Sequence, residues 1–322
     1  MKGRHIKRIL ILAGSGGHTG YAYSLAEALH DKGAKLSFLA PQDEPLSGQR
    51  LSRFGEVDFL IKPRGPKTPL LPFVTRLTKS FLNSIKKVSN QFDVVVSSGS
   101  NFCIPPAIIG WMKGIPLVNI ESSVRFVKPS KTAFLLQPFS AITALQWEEQ
   151  RAFLKGVVTG PLFPKPKLKP WNGGYILVTG GTYGHKLLFD ALAESDLSNI
   201  VLQTGRVDPT PYVKKHPEWK VFTLTESFHE LLAGAELVVT HFGSTVLEAL
   251  VYGKPIVIVP NPEWTRTAGS EDAKYMAKKV NAVFVSEISS QILVDAIAEA
   301  KKRKMPKLPK GAEKLATLIM NL

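Results

Sequence analysis

His18 and Glu121 are the two ionisable side chains that the sequence places best for chemistry. His18 follows an apolar run, 9–12, and a glycine-rich turn, 13–17. Ala22, Leu25, Ala26 and Leu29 then recur at helical spacing, which predicts a helix starting near Thr19 or Gly20. Glu121 closes a second apolar run, 117–120. If both runs are strands of one parallel sheet, the two side chains open into the same crevice. An imidazole titrates near neutral pH and suits proton abstraction. A carboxylate could be the base itself, or could orient the imidazole and stabilise its charged form. The sequence leaves both arrangements open. Each residue also has a plainer role available, His18 as a helix cap and Glu121 as an ion-pair partner.

The first turn departs from the standard nucleotide motifs. A dinucleotide fingerprint needs a glycine where Thr19 stands, and a phosphate loop needs Gly-Lys-Ser/Thr. Gly16, Gly17 and Thr19, with Ser100 and Asn101 from the polar turn 97–102, are the candidate substrate contacts of this half. The second half repeats the pattern. Strand 175–179 runs into the turn GGTYG, 180–184. Strand 200–203 is followed by Thr204, Gly205 and Arg206, and strand 236–240 ends at His241 before a helix bearing Val246, Leu247, Leu250 and Val251. Backbone N–H groups after Gly181 and Gly243 would point at phosphates. Glu248, one turn into that helix, could accept hydrogen bonds from sugar hydroxyls. The candidate donor-side set is Gly181, Thr182, Gln203, Gly205, His241, Gly243, Ser244, Thr245 and Glu248.

Strands alternating with helices throughout predict parallel sheets covered on both faces. A chain of 322 residues has room for two such domains. The stretch 161–170, with four prolines and three lysines, is a stiff extended linker and the best boundary. The single cysteine, Cys103, excludes an internal disulfide and a cysteine-rich metal site, and a reducing compartment follows. The first apolar run is only a strand's length, unlike a signal peptide, and no run reaches the ~18 apolar residues of a spanning helix.

The net charge of +15 calls for an anionic partner. Residues 59–92 hold no Asp or Glu, but they hold Lys62, Arg64, Lys67, Arg76, Lys79, Lys86 and Lys87. Within them Leu70, Phe73, Val74, Leu77, Phe81 and Ile85 recur at helical spacing. This is the pattern of an amphipathic helix lying on a membrane, or of one packed on the core with solvated lysines outside. The apolar stretch 132–145 could be a second part of such a surface. No nucleic-acid signature accompanies the basic segment.

Four blocks, one in the second half and three in the first, carry a family resemblance. LVVTHFGSTVLEALVYGKPIVIVPNP resembles the donor-binding signature of the UDP-N-acetylglucosamine transferases, which include the bacterial lipid II synthase. GSGGHT, SSGSNFCIPPA and NIESSVRF continuing to LLQPFSAITALQW resemble the membrane-recruiting subunit of the two-subunit enzyme that acts on dolichyl diphosphate-GlcNAc. Along the chain the recruiting-type blocks come first and the catalytic-type block follows, so it looks like a fusion of the two subunits. The resemblance implies the glycosyltransferase-B architecture, two Rossmann-like α/β domains with doubly wound parallel sheets facing across a cleft. Residues 1–163 would form the acceptor and membrane-associating domain, and 164–322 the donor domain, with the last helix free to pack back on the first. It implies inverting GlcNAc transfer from UDP-GlcNAc to a polyprenyl or dolichyl diphosphate-linked sugar in lipid-linked oligosaccharide assembly. Gly181 and Thr182 would contact the diphosphate or sugar, Glu248 the ribose, and His18 with Glu121 would be the catalytic pair. Leu70, Phe73, Arg76, Leu77, Lys79 and Phe81 would meet the membrane, peripherally and on its cytoplasmic face. No cofactor is expected, and the absence of Asp-x-Asp fits a metal-independent mechanism. Homo-oligomerisation stays open. One departure stands out: Glu271 and Asp272 lie near the places of the family's His-Gln pair. The alternatives are a transferase or epimerase for a soluble UDP-sugar, and a non-catalytic protein binding a nucleotide sugar or nucleic acid.

Overall fold

A computed structural model describes residues 6–14, 16–64, 69–263 and 268–322, without the side chains of Leu46 and Leu70. Ser15, Lys67 and the expected membrane contact of the Leu70 side chain therefore lie outside the described residues. The chain divides into two compact units, 1–164 with 308–322, and 165–307.

The first unit alternates strand and helix: β1 (Arg8–Leu12), α1 (Gly17–His30), β2 (Lys35–Pro41), α2 (Pro45–Leu51), β3 (Gly55–Leu60), α3 (Leu70–Lys87), β4 (Val94–Ser97), α4 (Ile104–Met112), β5 (Leu117–Ile120), α5 (Lys131–Leu136), β6 (Ile142–Leu145) and β7 (Val157–Val158). Its seven strands are parallel, in the order β3-β2-β1-β4-β5-β6-β7. The runs RILIL and VVVS form strands because helices cover both faces of the sheet, so uninterrupted apolar residues are needed there. Ile9 and Ile11 point to the core under α1, and Leu10 and Leu12 to the opposite one. The order reverses between β1 and β4, and the loops leaving these strands meet there.

The second unit holds β8 (Ile176–Thr179), α6 (Lys186–Ala193), β9 (Ile200–Gln203), α7 (Thr210–Lys215), β10 (Lys220–Phe222), α8 (Phe228–Gly234), β11 (Leu237–Thr240), α9 (Ser244–Val251), β12 (Ile256–Ile258), α10 (Ser270–Val280), β13 (Val283–Phe284) and α11 (Ser290–Ala300). Its six-stranded parallel sheet runs β10-β9-β8-β11-β12-β13 and reverses between β8 and β11. The final helix, α12 (Gly311–Met320), belongs to the first unit. Leu315, Ala316 and Ile319 are buried with the α1 core, and Lys7 Nζ caps its last turn through the Ile319 and Met320 carbonyls. Among the described residues no helix is long and apolar enough to cross a membrane.

Candidate active site

His18 stands in the first turn of α1 rather than ahead of it. Gly16 has φ +62°, and its carbonyl accepts the Thr19 N–H at 3.0 Å, so the helix closes two residues earlier than the apolar spacing suggests. Thr19 is buried and donates its hydroxyl to the Gly14 carbonyl, which ties the turn to the helix it opens. The Gly16 N–H meets the Glu44 carboxylate at 3.3 Å, and Lys62 pairs with the same carboxylate at 3.4 Å. The turns after β1 and β4 touch. A Cβ on Gly14 would lie 2.5 Å from the Gly99 carbonyl oxygen, and one on Gly99 would lie 2.7 Å from His18 Nδ1. Gly99, at φ +96°, supplies both the left-handed turn and the space for the imidazole.

His18 Nδ1 lies 2.8 Å from the Ser98 carbonyl oxygen. A carbonyl only accepts, so Nδ1 carries the proton and Nε2 keeps its lone pair. Burial is the largest cause holding the imidazole below its ordinary pKa of 6.5; the Ser98 carbonyl opposes it, Arg125 and Lys62 lower it further, and Glu44 raises it. The ring is therefore neutral at neutral pH, within the electrostatic reach of Arg125, Lys62 and Glu44.

Glu121 does not orient His18. It is fully buried at the end of β5, where its Oε1 accepts the Ser122 N–H at 2.5 Å and its Oε2 the Ser130 N–H at 2.8 Å. Burial pushes its carboxyl up, while these two N–H groups and Arg125 pull it back. The same loop is braced by Tyr21 Oη on Ser123, by Trp147 Nε1 on the Ser123 carbonyl and by Gln150 Nε2 on the Ser122 and Arg125 carbonyls. Glu121 thus clasps the loop that carries Arg125. In the neighbouring turn Ser100 has φ 76° and caps Phe102 N–H, while Asn101 Nδ2 donates to the Arg64 carbonyl.

In the second unit the turns after β8 and β11 converge on His241. A Cβ on Gly181 would lie 2.8 Å from its ring, and one on Gly243 2.5 Å. Burial, then the neighbouring His185, brings its pKa down to about 4, so this ring is neutral too. The Thr179 hydroxyl accepts Gly181 N–H at 3.0 Å and Gln203 Nε2 at 3.1 Å. Gln203 therefore supports the turn from behind instead of presenting its amide outward. Thr182 is exposed, Ser244 and Glu248 are half-buried on α9, and Thr245 is buried. Gly205 sits against the Gly181 and Thr182 carbonyls. Asp272 is buried and accepts the Gly269 N–H at 3.1 Å, capping α10.

The basic segment has two apolar stripes. Phe73, Leu77 and Phe81, expected at the membrane, are half-buried, and Phe81 packs on the core with Ser80 and Ser84 buried beside it. Helix α4 packs against α3, and Phe81 of the i, i+4, i+8 row joins the core beside it. The exposed stripe is Leu71, Val74, Leu82 and Ile85, with Arg76 and Lys79 exposed around it. Trp111 and Met112 on α4, and Phe134 and Leu135 on α5, extend this exposed apolar surface across adjacent helices. A helix packed only on a core needs one apolar stripe, so the second one is unspent.

Residues 175–319 match the glycosyltransferase family 28 C-terminal domain. A relative from Psychromonas ingrahamii, a UDP-N-acetylglucosamine–N-acetylmuramyl-(pentapeptide) pyrophosphoryl-undecaprenol N-acetylglucosamine transferase, is 26% identical over 312 residues, covering 88% of this chain and 86% of the relative. The crystal structure of Acinetobacter baumannii MurG superposes with a TM-score of 0.67 at 19% identity, over 98% of this chain and 100% of that one. A Neisseria meningitidis UDP-GlcNAc 2-epimerase, bound to UDP-GlcNAc, gives 0.65 at 15% identity, over 98% of both chains. The fold is that of the glycosyltransferase-B enzymes, two parallel-sheet α/β units. An epimerase shares it, so the chemistry must be argued from the site.

Proposed function

We propose that this chain transfers GlcNAc from UDP-GlcNAc to a polyprenyl diphosphate-linked sugar at a membrane surface, with inversion at the anomeric carbon. The observation that carries the reading is the bond from His18 Nδ1 to the Ser98 carbonyl. It leaves Nε2 as a free acceptor on a ring kept neutral by burial, which is what a general base for a sugar hydroxyl requires. The positive charge of Arg125 and of Lys62, the latter paired with Glu44, acts on the His18 ring and suits an acceptor that carries a diphosphate. As the hydroxyl attacks, its proton passes to Nε2 and the C1–O bond to UDP breaks. Donors around Gly181, Thr182 and Ser244 take up the charge of the departing diphosphate. The lack of Asp-x-Asp supports a mechanism that relies on such protein donors.

Glu121 enters as a positioning residue that holds the Arg125 loop. The acceptor lipid is read as dolichyl-type, carrying GlcNAc, on the strength of the SSGSNF and IESSVRF blocks. The name of the Psychromonas relative puts an undecaprenyl-linked muramyl pentapeptide in that place. Both lipids belong in the assay. The reaction is tested by UDP release from UDP-GlcNAc, with and without each lipid acceptor in detergent. Release that depends on a lipid acceptor supports the reading; turnover of UDP-GlcNAc in its absence identifies an epimerase or soluble-sugar enzyme instead.

The second apolar stripe on α3 favours peripheral attachment to a membrane surface. Basic residues near an anionic surface contribute about 1 kcal/mol each. Replacing Arg76, Lys79 and Lys86 by Gln should release the protein from acidic vesicles in co-sedimentation without changing its circular dichroism. Undiminished binding would return α3 to a purely packing role.

A further inference from the structure

We propose that Arg206 is a diphosphate-binding residue of the second unit, held in place by Tyr183. The proposal rests on the donor assignment above and extends it to a side chain outside the expected set. Arg206 lies in the turn that follows β9, the strand next to β8. Its guanidinium lies 4.6 Å from the centre of the Tyr183 ring, which belongs to the glycine turn after β8. The two turns are in backbone contact. Gly205 has φ +63°, and a Cβ there would lie 2.4 Å from the Gly181 oxygen and 2.6 Å from the Thr182 oxygen. Only glycine fits, and its left-handed conformation aims the next residue across the Gly181–Thr182 turn.

Charge separates this residue from its neighbours. Lys186 pairs with Asp190 at 2.5 Å, and Lys254 donates to the Trp171 carbonyl. Asp208, two residues beyond Arg206, accepts Thr210 N–H at 3.0 Å and the Thr210 hydroxyl at 2.7 Å. Arg206 is exposed and meets no carboxylate among the described residues. Its guanidinium lies over the exposed Tyr183 ring. Stacking takes the face of a guanidinium and leaves its N–H edge for two oxygens. A fixed cation beside exposed backbone, at the carboxyl end of a parallel sheet, matches a diphosphate better than a base or a sugar.

Calorimetry with UDP and NMR titration with uridine test this on the full chain. Arg206→Ala should weaken UDP by about 10- to 100-fold and leave uridine within about twofold. Glu248→Ala, which removes a proposed ribose contact, should weaken both ligands. Tyr183→Phe should keep UDP affinity, and Tyr183→Leu should lower it without affecting uridine. Thermal melting matching the unsubstituted protein certifies the fold of each variant. Equal UDP affinity in Arg206→Ala, or equal losses for UDP and uridine, overturns the role of Arg206 while leaving the donor assignment standing. An unsubstituted protein that binds neither ligand overturns the donor assignment and Arg206 with it.

Discussion

His18→Ala should lose turnover by about two to four orders of magnitude, the usual scale for a general base, and keep its UDP affinity. The two halves of this expectation come from different units. His18 lies at the β1/β4 reversal of the first unit, and the UDP contacts are assigned to the β8/β11 reversal of the second. The pH profile adds a signature that simple damage would not produce. His18 is held below 6.5, so protonation removes the base only on the acid side of the ordinary histidine range. Activity should therefore persist through neutral pH and fall as pH drops below about 6.5. Lys62 is one of the charges lowering that pKa. Lys62→Gln should move the acid limb upward, toward the ordinary value. Near-normal turnover in His18→Ala would make the imidazole a structural part of the turn.

Glu121 is expected to matter as much for turnover, but by a different route. Its two oxygens satisfy the Ser122 and Ser130 N–H groups inside the protein. Hydrogen bonds to a charged acceptor contribute about 1.5–3 kcal/mol each, and Glu121→Ala leaves the buried Ser122 N–H and the part-buried Ser130 N–H without this partner. We expect a lower melting temperature and turnover reduced by about two orders of magnitude or more, with UDP affinity retained. Glu121→Gln keeps one acceptor oxygen and should recover part of both losses. The comparison separates a loop clasp from a base. A Glu121→Gln protein that melts normally but is as inactive as His18→Ala would place proton transfer on Glu121.

The strands and glycine turns were legible because buried parallel strands need uninterrupted apolar runs and tight turns need glycine. Runs 9–12, 117–120 and 175–179 read as strands for that reason. The start of α1 was not, because Gly16 and Thr19 close the first turn through backbone bonds that leave no apolar period. The partner of His18 was equally hidden: Ser98 acts through its carbonyl, which every residue possesses. The partners of Glu121 were hidden in the same way, since its bonds run to backbone N–H groups rather than to His18. On α3 the helical period was legible, but not which of its apolar residues pack and which stay exposed. Phe73-Leu77-Phe81 and Leu71-Val74-Leu82-Ile85 are both apolar rows, and only packing against α4 decides which is exposed. Arg125 stood inside the quoted NIESSVRF block and Arg206 beside Gly205, but bringing a cation near an imidazole or over a ring across loops needs the fold.

The most direct test of the account is the structure of the product. The protein would be incubated with UDP-GlcNAc and a short polyprenyl diphosphate-GlcNAc, and the lipid product analysed by mass spectrometry and NMR. Base-assisted displacement from the face opposite UDP predicts one added N-acetylhexosamine in β linkage. An α linkage, or no mass gain on any polyprenyl diphosphate acceptor while UDP-GlcNAc is converted, would contradict it.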